Sequence, residues 1–202
     1  MADNIICEKF KEWTKDLAPK EARIAVFERI RDIPYAIVPK LRDHFSGPAG
    51  MLELNKGSCQ PKHYLLAQFF EKLGIPIQLA TYVFRWQDCP VAYPSKIKQL
   101  VEQLPVGYHL ACKAYIEKKW VLVDATWDKP LKAYGFSVNE HWDGLSATEN
   151  AVVVLEEITH KDAADRCSYE TQKRSGYSDN EKALYTEFIE QFNQWLEQIR
   201  RS

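Results

Sequence analysis

The order of patterns along this 202-residue chain predicts an α+β fold, with a cysteine-bearing helix packed on an antiparallel sheet and helices at both termini. Three observations carry the prediction. Leu65, Leu66, Phe69, Phe70 and Leu73 recur at three- and four-residue spacing, as on a helix with one broad buried face. After Gly74 the period changes, and β-branched and aromatic residues alternate with smaller or polar ones. Finally, the segments 108–116 and 119–126 read as two neighbouring strands closed at Glu117-Lys118.

The composition fits a single domain over 1–202. It divides into a helical front section (1–50), a central core (51–128) and a strand plus C-terminal helix (129–202). Hydrophobic residues make up 46% of the chain and aromatics 12%, enough for a sizeable core. The formal net charge of −1 offers no basic excess, so neither nucleic acid nor an anionic membrane surface is an expected partner. Met1 to Lys9 has no cationic head followed by an apolar run, as a secretory signal would, and no apolar run is long enough to span a bilayer. The five cysteines are an odd number without paired spacing, which points to reduced thiols and a cytoplasmic compartment.

Element by element, two helices are expected from Cys7 to about Ile33, the second beginning at Pro19 and ending before Pro34. Ser46-Gly47-Pro48-Ala49-Gly50 reads as the clearest loop. Ser58 is placed to cap the next helix, Pro61 to sit in its first turn and Gly74 to end it. Gly57 is expected to allow a sharp turn and leave room beside the Cys59 sulfur. A strand is predicted over Ile75–Trp86, a short helix over Pro94–Leu104, and a buried strand over Ala151–Leu155. The final helix starts at a Ser178/Glu181 capping box and buries Leu184, Phe188, Phe192, Trp195 or Leu196, and Ile199. Arg200 and Arg201 suit its negative end.

Cys59 stands where free backbone amides and the positive end of a helix dipole converge, an environment that favours a thiolate. If the hairpin pairs Ile116 with Lys119, His109 and Asp124 become diagonal neighbours on one face, roughly 7 Å apart at the backbone. A slip of one residue would send Asp124 to the other face. Cysteine catalysis needs an imidazole to take the thiol proton and a carboxylate to orient the ring.

Gly57-Ser58-Cys59 with its helix, Leu73-Gly74-Ile75-Pro76, Tyr108-His109 and Trp120-Val121-Leu122-Val123-Asp124-Ala125-Thr126 together resemble the core of the transglutaminase-like superfamily, relatives of the papain-like cysteine proteases. Asp124 to Asp128, Phe136 to Asn139 and Trp142-Asp143-Gly144 look like its small prokaryotic branch. The resemblance implies Cys59 as nucleophile, His109 as base and then acid, and Asp124 as orienting group. It also implies an oxyanion site built from the Cys59 amide and a side chain, for which Tyr35 is the candidate and Gln60 the alternative. The activity implied is acyl transfer at an amide bond of a peptide or protein, by hydrolysis or by crosslinking, with no cofactor and no metal. A non-catalytic peptide-binding domain of the same fold is the competing class.

Taken alone, each residue has a plainer role. An isolated cysteine is by default a buried inert thiol, and His109 and Asp124 could be a satisfied strand histidine and a turn cap. His63 reads as a polar rim residue, Lys62 as a solvated lysine, and Cys7, Cys89 and Cys167 as structural. Trp86, Tyr108 and Trp127 are candidates for a substrate groove, against core packing for any single tryptophan. A zinc site from Cys59, His63, His109 and Cys112 is disfavoured, because His109 and Cys112 are three apart on a strand and point to opposite faces.

Overall fold

The computed structural model describes residues 2–201. Helices α1 (Ala2–Thr14) and α2 (Pro19–Arg31) open the chain, with Pro19 at the first position of α2 as expected. A 3-10 turn (Pro39–Leu41) leads to α3 (Gly47–Leu54), where the sequence predicts a loop. Asp43 explains the difference: its carboxylate accepts the amides of Phe45 and Ser46, and Pro48 sits in the first turn, which needs no amide donor. Gly47 fills a steric need there, since a Cβ would lie 2.2 Å from the Leu41 carbonyl oxygen.

Helix α4 (Cys59–Lys72) carries the cysteine at its first residue. Ser58 is its N-cap by backbone shape, but its hydroxyl makes no capping bond. The C-terminal end closes as expected: Gly74 is left-handed at φ 75°, and the Ile75 amide returns to the Phe70 carbonyl at 2.9 Å. Instead of one buried face, the whole run from Cys59 to Ala67 is buried, Lys62 and His63 included. Gly57 has no positive φ and makes no sharp turn. It exchanges backbone hydrogen bonds with Pro34 and Ala36 at 3.1 and 3.2 Å, and a Cβ there would strike the Met51 side chain at 2.7 Å.

The sheet is four-stranded and antiparallel in the order β3-β2-β1-β4. Its strands are β1 (Ile77–Phe84), β2 (Gly107–Ile116), β3 (Lys119–Val123) and β4 (Glu156–His160), with a short helix α5 (Ser95–Val101) between β1 and β2. Ile116 pairs with Lys119, the expected register. The hairpin turns without glycine: Glu117 and Lys118 take φ of 48° and 63°. The strand predicted at Ala151–Leu155 is not formed. Its first residues spend their backbone groups on side chains, Ala151 donating to Asp124 and accepting from the Trp127 indole, and the ladder begins only at Glu156.

Helices α6 (Ala163–Ser175) and α7 (Asp179–Ile199) complete the chain. The predicted Ser178/Glu181 capping box is present, and Phe188, Phe192, Trp195, Leu196 and Ile199 are buried. Helix α6 is absent from the sequence prediction, because its surface is largely polar and it offers no apolar stripe. Two cores sandwich the sheet. Leu79, Leu110, Cys112 and Ala114 pack with α1, α2 and α4 on one side, while Ala80, Tyr82, Phe84 and Ala111 pack with α5 and α7 on the other. Among the described residues, no helix is long and apolar enough to cross a membrane.

Candidate active site

Cys59 enters from the start of α4, His109 from the first turns of β2, and Asp124 from the residue just beyond β3. The His109 Nε2 lies 2.8 Å from Asp124 Oδ2, and the Cys59 side chain sits near enough to the same ring to raise its basicity. With Nε2 committed to the carboxylate, Nδ1 is the nitrogen left for sulfur. Burial alone would lower the basicity of His109, but the charge and hydrogen bond of Asp124, with the nearby Cys59, push its pKa up to about 10.

Asp124 is held rigidly. Besides His109, it accepts from the Thr126 hydroxyl at 2.6 Å, the Thr126 amide at 3.2 Å and the Ala151 amide at 2.9 Å. Burial opposes its ionisation, yet the facing His109 and these donors keep it well below the usual carboxylate range. The β3 ladder ends at Val123, so Asp124 is fixed by side-chain partners rather than by strand pairing.

His63 is fully buried rather than on a rim. Its Nδ1 lies 2.8 Å from the Cys59 carbonyl and its Nε2 accepts the Ala125 amide at 3.0 Å, which fixes a neutral ring with the proton on Nδ1. Burial is the main cause of its pKa falling to about 4. His63 therefore bolts the nucleophile helix to the segment that carries Asp124. Both its nitrogens are committed to backbone groups, which also removes it from the zinc set considered above.

Lys62 is buried as well, not solvated. Its Nζ donates to the carbonyls of Arg31 and Thr126 at 2.9 and 2.7 Å, and burial brings its pKa down to about 7. A neutral amine has two N–H groups, so two carbonyls satisfy it. Nothing in the local sequence marks either residue, because both partners of Lys62 and one of the two partners of His63 lie in other segments.

Tyr35 lies beside the cleft, its ring 4.3 Å from that of Trp127 and tilted 49° to it, with its amide donated to Asp128 at 2.8 Å. Burial, then the charge of the nearby Cys59, raises its phenol well above the ordinary range. Gln60 also lines the cleft, and its carboxamide donates to Glu170. Trp86, Tyr108 and Trp127 all line the cleft, although Trp86 and Trp127 are buried and the Trp127 indole is tied to the Ala151 carbonyl.

The cleft at Cys59 is narrow, about 30 Å³, room for water but not for a peptide side chain. Arg42, Arg174 and Tyr185 form its outer wall and also border a basin of about 540 Å³. The two guanidiniums flank the Tyr185 ring at 5.6 and 4.9 Å. These three residues, from the front loop and the last two helices, carry no sequence signal that links them to Cys59.

No protein-family model matches the chain, and no curated protein matches it. Two solved structures are similar in fold. A provisionally named cysteine protease from Cytophaga hutchinsonii is 16% identical with a TM-score of 0.46, over 81% of this chain and 44% of that one. A TGase is 16% identical with a TM-score of 0.42, over 62% of this chain and 32% of that one. The chain thus spans less than half the length of either neighbour.

Proposed function

We propose that the protein is a cysteine-dependent acyl-transfer enzyme of the transglutaminase-like kind, acting on an amide bond of a peptide or protein. The observation that carries this reading is the single imidazole held at 2.8 Å by Asp124 while its other side meets the Cys59 thiol. That is the division of roles a thiol nucleophile requires.

In the first half-reaction Cys59 attacks the carbonyl carbon as a thiolate, its proton already held on His109 Nδ1. The tetrahedral oxyanion is met by the Cys59 amide, which has no intrahelical carbonyl at the first helical position, and by the Tyr35 hydroxyl. His109 then protonates the departing amine, leaving a thioester on Cys59. A second nucleophile, activated by His109, attacks the thioester and regenerates the thiol. We favour water as that nucleophile, which makes the reaction hydrolysis of a peptide, isopeptide or glutamine amide. An amine in its place would give crosslinking.

Two measurements test the proposal. Iodoacetamide near neutral pH should label Cys59 faster than Cys7, Cys89, Cys112 and Cys167, and His109→Ala should abolish the advantage. Glutamine peptides and peptide libraries should then release ammonia or new amines, with Cys59→Ala inactive. Equal labelling of all accessible thiols would overturn the catalytic reading in favour of a peptide-binding domain. Incorporation of a labelled amine without hydrolysis would replace hydrolysis with crosslinking.

A further inference from the structure

Outside the lining of the cleft at Cys59, three donor side chains from two separate segments converge. Asp43 and His44 precede α3, and Cys167 lies one turn into α6. One potential ligand atom from each falls within 4.8 Å of the others. All three atoms are available. Asp43 uses Oδ1 for the Phe45 amide and for the amide and hydroxyl of Ser46, which leaves Oδ2 facing His44 Nδ1 at 3.9 Å. The His44 Nδ1 is buried and has no hydrogen-bond partner among the described residues. Cys167 is a free, half-buried thiol, with the His44 backbone close to its sulfur.

A buried ring nitrogen left without a partner calls for an explanation, and a metal ion supplies one. We propose that Asp43, His44 and Cys167 form a binding site for zinc or a similar borderline-soft divalent cation. The donor set of carboxylate, imidazole and thiolate suits zinc and disfavours magnesium or calcium, which take oxygen ligands. Ligand bonds of about 2.0–2.3 Å would draw the three atoms somewhat closer, a change within reach of exposed Asp43. Binding breaks the Cys167 S–H bond, forms a sulfur–metal bond and releases the proton to solvent. It also requires the His44 ring proton on Nε2, so that Nδ1 offers its lone pair.

The site would staple α6 to the front loop. Helix α6 carries Arg166, Glu170 and Arg174, and the loop carries Arg42, so the staple would tie together two walls of the cleft at Cys59. Metal binding itself does not depend on the catalytic reading above.

The test is a titration of the metal-free full-length protein with cobalt(II), followed by competition with zinc. The expected result is a thiolate-to-cobalt charge-transfer band that saturates at one equivalent and is bleached by zinc. It should persist in Cys59→Ser and bind at least roughly tenfold more weakly in Cys167→Ser and His44→Ala. Zinc should raise the Tm of the wild type but not that of Cys167→Ser. Asp43→Asn keeps the turn-capping oxygen while removing the charge, so its weaker binding is readable even if another variant folds poorly. No band, a band that survives Cys167→Ser, or a band lost in Cys59→Ser would overturn the proposal.

Discussion

At the scale of single residues, Asp124 has the most to lose. Four donors converge on its two oxygens, and an amide in its place would set an NH2 group against one or more of them. Asp124→Asn should therefore reduce turnover and Cys59 alkylation by on the order of a thousandfold, since the ring loses its orientation and the stabilisation of its cation. Parallel kinetics on the wild type and His109→Ala would check this. If Asp124→Asn kept wild-type rates, Asp124 would be a turn cap and nothing more.

The two buried histidines beside Asp124 have opposite signs in pH-dependent stability. His63 falls from 6.5 to about 4 in the folded state, so between those values the unfolded chain binds the extra proton. Its contribution is complete above pH 6.5 and lost as pH falls towards 4. His109 rises from 6.5 to about 10, so its contribution is complete below pH 6.5 and lost as pH climbs towards 10. Urea denaturation from pH 4.5 to 6.5 should show stability rising with pH. His63→Gln should flatten that limb by on the order of a few kcal/mol, and His109→Ala should not.

At the scale of elements, α6 is held by charge rather than by an apolar stripe. Arg166, fully buried, pairs with Glu170 at 2.7 Å and reaches the Tyr108 carbonyl at 3.2 Å, and Arg174 binds the other Glu170 oxygen. Glu170→Ala leaves the Arg166 charge buried without its partner and should cost about 3–5 kcal/mol by chemical denaturation. It also frees Gln60. Tyr185, at the first turns of α7, closes the wall between cleft and basin. Tyr185→Ala should speed Cys59 labelling by a bulky maleimide much more than labelling by iodoacetamide. Equal acceleration of both would mean that Tyr185 acts on reactivity rather than on access.

At the scale of the whole molecule, the last turn of α7 is tied to the segment beside the cleft. Arg200 makes a two-pronged bond to Asp128 at 2.7 and 2.8 Å and reaches the Tyr35 carbonyl at 2.9 Å, while the Tyr35 amide returns to Asp128. The sequence suggests only that Arg200 complements the helix end, and it does cap the Leu196 carbonyl as well. A lysine cannot span both carboxylate oxygens with a planar fork. Arg200→Lys should destabilise by about 1–3 kcal/mol in thermal or urea melts, with Tyr35 losing one of its two anchors.

The sequence alone determined what depends on neighbours along the chain. The start of α4 at Cys59, its end at Gly74, the hairpin register and the capping box of α7 are all set within a few residues by caps, turn positions and pleat alternation. That is why His109 and Asp124 could be paired before any coordinates. Tertiary structure decided what depends on partners far away in sequence: the burial of Lys62 and His63, the hydrogen bond of Gln60 to Glu170, the closing of the cleft by Tyr185, and the meeting of Cys167 with Asp43 and His44. A buried polar side chain is legible only once its hydrogen-bond partners are known, and here each of these side chains has at least one partner dozens of residues away. Local spacing carries no record of them.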